Sequence, residues 1–267
     1  MNVKAQYPSL EAYLQRALAN GRYTISFKEL KESFSISEKA LLQSIFRLKE
    51  KGRLAQLRKG FYVIVTPQYS SQGMLPPSLL IDDLMTYLDR KYYVALYSAA
   101  ALHGAGHQQP MVFQVITEKP ALRAIVRQKL NLQFYTSSGW HDDNLVQFKT
   151  ETGFINVSSL SLTAFDLVNY HKSIGGLNRA LPIIDELAAQ LKKAELSKAC
   201  QYQKIASIQR LGMILEELEY FELSEVLFKK IQSLNLRTVP LSLAHNKEGV
   251  IKNSKWSVLI NNKLDIK

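Results

Sequence analysis

A chain of 267 residues, 46% hydrophobic and 21% charged, has the make-up of a folded protein with room for two domains or one large one, with disorder expected only at the ends. Its apolar runs fall short of the roughly 20 residues needed to span a bilayer, and residues 1–7 lack the apolar core of a signal peptide, so a cytoplasmic protein is expected. One cysteine, Cys200, excludes an internal disulfide and a thiolate zinc site, while 34 Lys and Arg against 23 Asp and Glu, net +11, point to a polyanionic partner.

In chain order, residues 9–18 predict a helix ended near Gly21, and Tyr23-Thr24-Ile25 a short strand. Residues 27–34 predict a second helix, Ser35-Ile36-Ser37 a turn, and residues 38–51 a third, amphipathic helix. Then come Gly52-Arg53-Leu54-Ala55-Gln56-Leu57, the turn Arg58-Lys59-Gly60 and the apolar strand 61–65. Helix, turn, helix and hairpin make a winged helix-turn-helix, a plan for reading duplex DNA. Ser37 is placed to cap the third helix, and Leu41, Leu42, Ile45 and Leu48 are expected to form its buried face.

The opposite face carries Lys39, Gln43 and Arg47 four residues apart, with Ser44 and Lys51 beside them. Long donors and an amide suit base edges, and a hairpin tipped with Arg58 and Lys59 suits a phosphate or a minor groove. From Lys39 to Lys59 there are seven basic residues, Arg53 among them, against the single acid Glu50. Residues 1–66 have a net charge of +7 and the remaining 201 only +4, so the excess sits where a polyanion is expected to bind. The alternatives for the same pattern are a protein-interaction winged helix and a basic face that is merely solvated.

Turn formers and prolines place a linker at 67–77, dividing a module at 1–66 from a second domain at 78–267. The second domain is expected to open with helices at 79–89 and 97–102. Strands follow at 112–117 and 130–135, then a hairpin of 145–150 with 154–157. Helices return at 162–170, 177–191, 203–219 and 224–231, and a small β end pairs residues near 239–241 with 256–260. The expected fold is α+β: a winged helix-turn-helix, then a larger mixed α/β domain with a small sheet and a helical C-terminal part.

Four constellations touch on other chemistry. His103-Gly104-Ala105-Gly106-His107 spaces two imidazoles as metal ligands on a helix, but its glycines favour a helix C-cap and tight turn. Trp140-His141-Asp142-Asp143 before Gln147-Phe148-Lys149 partly matches a magnesium nuclease, with an amide where a second carboxylate belongs, and a solvated turn is preferred. Gly175-Gly176 offers an anion-binding helix start or simply a turn. Lys192, Lys193, Lys198, Lys204 and Arg210 make either an extended footprint or a solvated helical face, and Cys200, on an apolar-periodic helix, reads as a small core residue. No catalytic set, metal site or cofactor is expected; a DNA-targeted nuclease and a ligand-responsive regulator are the alternative functions.

Three segments taken in order, Gly52-Arg53-Leu54 with Leu57-Arg58-Lys59-Gly60-Phe61-Tyr62, Tyr97-Ser98-Ala99-Ala100-Ala101-Leu102-His103-Gly104, and Ser161-Leu162-Thr163-Ala164-Phe165-Asp166-Leu167, resemble AbiEi-type antitoxins of type IV, abortive-infection toxin–antitoxin systems. The resemblance covers most of the chain. It implies a bacterial regulator whose winged helix binds repeats in its own promoter and represses an operon shared with a nucleotidyltransferase-like toxin. It implies a second domain that carries antitoxicity and opposes the toxin without a stable complex. By position it implies DNA contacts from Lys39, Gln43, Arg47, Arg58 and Lys59.

Overall fold

The computed structural model describes residues 7–106, 110–243 and 250–266. The winged helix is built from α1 (Leu10–Ala19), β1 (Thr24–Ser26), α2 (Phe27–Ser33), α3 (Glu38–Glu50), β2 (Leu54–Arg58) and β3 (Phe61–Ile64). Each helix starts on a serine whose hydroxyl accepts an otherwise unpaired N–H: Ser9 from Ala12 at 3.2 Å, Ser26 from Glu29 at 3.1 Å and Ser37 from Ala40 at 3.3 Å. The strands form an antiparallel sheet in the order β1-β3-β2, with Thr24 opposite Val63 and Leu54 opposite Ile64.

The core of this module joins Leu10, Tyr13 and Leu14 of α1, Leu30 of α2, Leu41, Ile45 and Leu48 of α3, and Ile25, Leu54, Tyr62 and Ile64 of the sheet. Leu42, expected in the buried face, is instead 45% exposed. At about 100° per residue it stands a quarter turn away from Leu41, and the seam Leu41-Ile45-Leu48 already fills the stripe that meets the core. The α1–α2 junction is fixed by Glu29, which accepts from the Tyr13 hydroxyl at 2.5 Å and pairs with Arg22 at 2.6 Å. Burial pushes the Tyr13 phenol up to about 12, whereas the hydrogen bonds from Arg22 and Tyr13 outweigh burial and hold the Glu29 carboxyl below its usual range.

Beyond the wing follow α4 (Ile81–Tyr87), β4 (Tyr92–Val94), α5 (Leu96–Leu102), β5 (Phe113–Glu118), β6 (Ile125–Arg127), β7 (Leu130–Ser137), β8 (Leu145–Thr150) and β9 (Gly153–Ser158). Five more helices come next: α6 (Leu160–Asn169), α7 (Leu177–Ala188), α8 (Lys193–Cys200), α9 (Ile205–Glu217) and α10 (Phe221–Ile231). Short strands β10 (Val239–Pro240), β11 (Lys252–Asn253) and β12 (Val258–Leu259) end the chain. The fold is α+β, as expected, but the central sheet has six strands in the order β6-β7-β5-β4-β9-β8. Two of these, β4 and β6, are additional to the sequence expectation, whereas α8 is the helix expected around Cys200. Each strand is three residues long, too short for alternation to register.

Contacts divide the chain into two compact units. One holds Met1–Tyr92, Met111–Thr136 and Gln147–Asn156; the other holds Tyr93–Pro110, Ser137–Val146 and Val157–Lys267. Residues 67–77, expected as a linker, lie in the first unit, where Pro67–Tyr69 form a 3-10 turn and Met74 and Leu75 are buried.

The second unit has two buried features with measurable consequences. Gly212, in the middle of α9, lies against the fully buried ring of Trp256, leaving no space for a Cβ. The ring is oriented by its Nε1, which donates to Glu216 at 2.8 Å. Replacing a mid-helix glycine by alanine ordinarily stabilises by about 1 kcal/mol. Here Gly212→Ala is expected to destabilise by roughly 1–3 kcal/mol, the cost of overpacking, as read by urea denaturation.

Asp166 of α6 is 4% exposed; its carboxylate is hydrogen-bonded to Tyr93, and its Oδ2 meets no donor among the described residues. Burial pushes this carboxyl up to about 8. An unfolded Asp ionises near pH 4, so between about pH 4 and 8 the folded chain holds one extra proton and this group's contribution to stability falls as pH rises. Asp166→Asn should remove that slope, so the stability of the variant relative to the parent should improve from about pH 5 to about pH 8 in denaturant titrations. A constant difference across that range would refute the assignment.

Candidate nucleic-acid interface

With Leu41, Ile45 and Leu48 turned inward, α3 presents Lys39, Gln43 and Arg47 to solvent. Lys39, Leu42, Gln43, Phe46 and Arg47 together line one shallow surface, in which Phe46 is 61% exposed. Sequence reasoning missed the apolar half of this face. The available signal was that Leu42 and Phe46, four residues apart, lie about 100° and 140° round the helix from Leu41, on the side of Lys39. Among the described residues no carboxylate pairs with Lys39 or Arg47, whereas Lys31 is paired with Glu38 at 3.1 Å.

The flanking candidates are more engaged. The Ser44 hydroxyl donates back to the Ala40 carbonyl at 3.1 Å, a bond within the helix. Lys51 Nζ lies 3.5 Å from Glu11, and Lys49 donates to Gln56 at 3.3 Å. Arg53 is half-buried at the start of β2, and its Nε meets no acceptor. Ser44, Lys51 and Arg53 therefore border the α3 face and do not form its centre.

The wing tip is held, not free. Gly60 has φ +76°, a left-handed conformation that glycine adopts without strain, and a Cβ there would meet the Tyr87 hydroxyl. That hydroxyl donates to the Lys59 carbonyl at 3.0 Å, and the Tyr87 ring packs on Phe61 with centroids 4.9 Å apart. Lys59 keeps its side chain exposed. Arg58 Nη2 donates to the Arg123 carbonyl at 2.5 Å; burial, with Arg123 and Arg127 nearby, lowers its basicity.

The other constellations resolve into ordinary structural parts. His103 is the C-cap of α5, with Nε2 2.7 Å from the Ser158 carbonyl and its basicity lowered by burial; Gly104 makes the turn at φ +79°. His107, the second imidazole of that motif, lies outside the described residues. Asp143 pairs with Lys198 at 2.9 Å, which holds its carboxyl below the usual range, and His141 stacks on Tyr202 with centroids 4.1 Å apart. Asp142–Asn144 form a 3-10 turn, the exposed turn preferred over a nuclease layout.

The Gly176 N–H is taken by the His171 carbonyl at 2.8 Å, and a Cβ at Gly175 would press on Arg179. Lys192 and Lys193 pair with Glu195 and Glu222, and Arg210, considered for a basic surface, is buried and donates to the Pro240 carbonyl at 2.8 Å. Cys200 is buried, and burial pushes its thiol up to about 11, as suits a core residue. Among the described residues no three His, Cys, Asp or Glu side chains are grouped as metal ligands, and no helix is long and apolar enough to cross a membrane.

Comparison with known proteins agrees with this architecture. Residues 13–65 match the family model described as transcriptional regulator, AbiEi antitoxin, and residues 92–217 match the AbiEi antitoxin C-terminal domain. The two together take in about two thirds of the chain. Among solved structures, the Rv2827c protein from Mycobacterium tuberculosis shares the fold, with a TM-score of 0.67 over 92% of this chain and 89% of that one at 14% identity. No curated protein matches the sequence. One match on the winged helix and a second on the mixed domain that follows it place the chain in the AbiEi antitoxin family of transcriptional regulators.

Proposed function

We propose that the chain is a repressor of its own operon, binding promoter repeats through the module at 1–66 with α3 in the major groove. The observation that carries this reading is the α3 face itself. Lys39, Gln43 and Arg47 stand exposed on one stripe, the two cations without carboxylate partners among the described residues, on a helix whose rotation is fixed by a buried seam. In this reading Arg47 and Gln43 contact base edges, Lys39 and Lys59 contact phosphates, and Ser44, Lys51, Arg53 and Arg58 support the edges of the footprint. One winged helix covers few base pairs, so useful specificity needs two copies on adjacent repeats, bound as a dimer or cooperatively.

Membership of the family supports the second half of the proposal, in which residues 78–267 carry antitoxicity. The cognate toxin is a nucleotidyltransferase-like protein that shares the operon, and its effect is opposed without a stable complex. No cofactor takes part. Co-expression of the toxin with the full chain, and with a Gln43→Ala, Arg47→Ala chain, tests this half: both should restore growth, because antitoxicity is assigned outside the recognition helix.

Fluorescence anisotropy with the duplex upstream of the gene and a scrambled duplex tests the DNA half. Affinity should fall steeply with salt on both. Gln43→Ala or Arg47→Ala should each narrow the preference for the promoter by about 10-fold, whereas Lys39→Ala should weaken both duplexes alike. Equal binding of parent and variants to both duplexes would discard α3 as the reading element.

Leu42 and Phe46 extend the same reading, because an apolar surface beside hydrogen-bonding side chains suits the 5-methyl group of thymine. Replacing thymine by uracil in the promoter duplex should weaken the parent several-fold. A Leu42→Ser, Phe46→Ser chain should be indifferent to that replacement, and its folding should be little changed because both side chains are exposed. The same uracil effect on parent and variant would remove these two residues from base recognition.

A further inference from the structure

The first unit contains a second hairpin, β6 and β7, whose antiparallel register sets Arg127 opposite Leu130. Gln128, at φ +48°, and Lys129 make the turn. The hairpin carries Arg123, Arg127 and Lys129, all exposed, and Val126, 59% exposed, on an edge strand of the six-stranded sheet. Like β2 of the wing, it is an edge strand that no further strand covers among the described residues.

The two hairpins are tied together. Arg58 at the end of β2 donates to the backbone carbonyl of Arg123. The Gln128 amide packs against Gly73 of the segment that follows the wing, where any side chain would collide with it; with the amide oriented to satisfy its neighbours, its nitrogen donates to the Gly73 carbonyl at 2.6 Å. Between the hairpins runs a groove of about 610 Å³ lined by Lys49, Arg58, Lys59 and Arg127, with the amides Gln56 and Gln128 and three apolar residues.

Four of those nine residues are cations, and Arg123 stands beside them. Among the described residues none of the five has a carboxylate partner. Burial lowers the basicity of Arg58, and the charges of Arg123 and Arg127 lower it further. Hydrogen bonds to neutral backbone carbonyls that hold like charges together along an open groove suit an extended anion. A strand of phosphates matches it in charge.

We propose that the β6–β7 hairpin is a second DNA-contacting arm, in which Arg123, Arg127 and Lys129 grip the sugar-phosphate backbone beside the wing while Arg58 and Gln128 hold the arm in place. The proposal rests on the repressor reading and deepens it, because it makes the footprint of one chain wider than the α3 groove. Contacts to phosphate carry no sequence information, so the arm should add affinity equally to all duplexes.

The test uses the full chain with Arg123→Ala, Arg127→Ala and Lys129→Ala combined, the promoter duplex, and a scrambled duplex of equal length. A charge-keeping Arg123→Lys, Arg127→Lys chain is the control. The expected result is a slope of log affinity against log salt that is smaller by about 2–3 for the alanine variant, with the promoter-to-scrambled ratio unchanged and the lysine variant close to the parent. An unchanged slope in the alanine variant, with the parent binding normally, would overturn the arm and leave the α3 reading standing. A changed promoter-to-scrambled ratio would overturn the backbone role assigned to the arm. Failure of the parent to bind either duplex would overturn both readings together.

Discussion

Burial of Leu41, Ile45 and Leu48 is the constraint on which the functional face depends. Each buried aliphatic side chain is worth roughly 1.5–3 kcal/mol, so turning α3 by one residue, which would expose this seam, costs more than any contact on its outer surface returns. The outer face is therefore whatever the seam leaves over: Lys39, Leu42, Gln43, Phe46 and Arg47. Ser37 fixes where the helix starts, and Glu29, bridging Tyr13 and Arg22, fixes the helices it packs against.

A concentrated basic surface repels itself, and the structure holds it with hydrogen bonds to neutral backbone carbonyls. Tyr87 donates to the Lys59 carbonyl, Arg58 to the Arg123 carbonyl, and Arg90 to the carbonyls of Lys119 and Pro120. Backbone acceptors position cations without neutralising them, which leaves the positive potential available to a polyanion. Other cations are paired: Lys192, Lys193, Lys198 and Lys255 of the second unit, and Arg22, Lys31 and Lys51 of the first, each face a carboxylate.

Within the second unit, close packing and low polarity do the structural work. Gly212 admits the Trp256 ring, and the Trp256 indole, Lys255 and Ser224 all converge on Glu216. Asp166 lies in surroundings that keep its carboxyl protonated near neutrality. Asp166 belongs to the Ser161-Leu162-Thr163-Ala164-Phe165-Asp166-Leu167 segment on which the family resemblance partly rests, and all seven of those side chains are buried. In this chain the segment is a core helix, and its likeness to the family reflects packing.

The winged helix was legible in the sequence because its signals are local. Ser9 and Ser37 mark helix starts, a 3.6-residue period marks α3, and Arg58-Lys59-Gly60 marks a hairpin. Sequence alone also determined the mixed α+β class, the excess of charge in the first quarter of the chain and the stripe of Lys39, Gln43 and Arg47. Tertiary structure decided which apolar residues of α3 are inside, because a period admits both Leu41 and Leu42 and only the neighbours select between them. It likewise decided the fate of each cation. Whether Arg58 is tied to a carbonyl, Lys198 paired or Arg210 buried depends on partners 65, 55 and 30 residues away, beyond the reach of any local pattern.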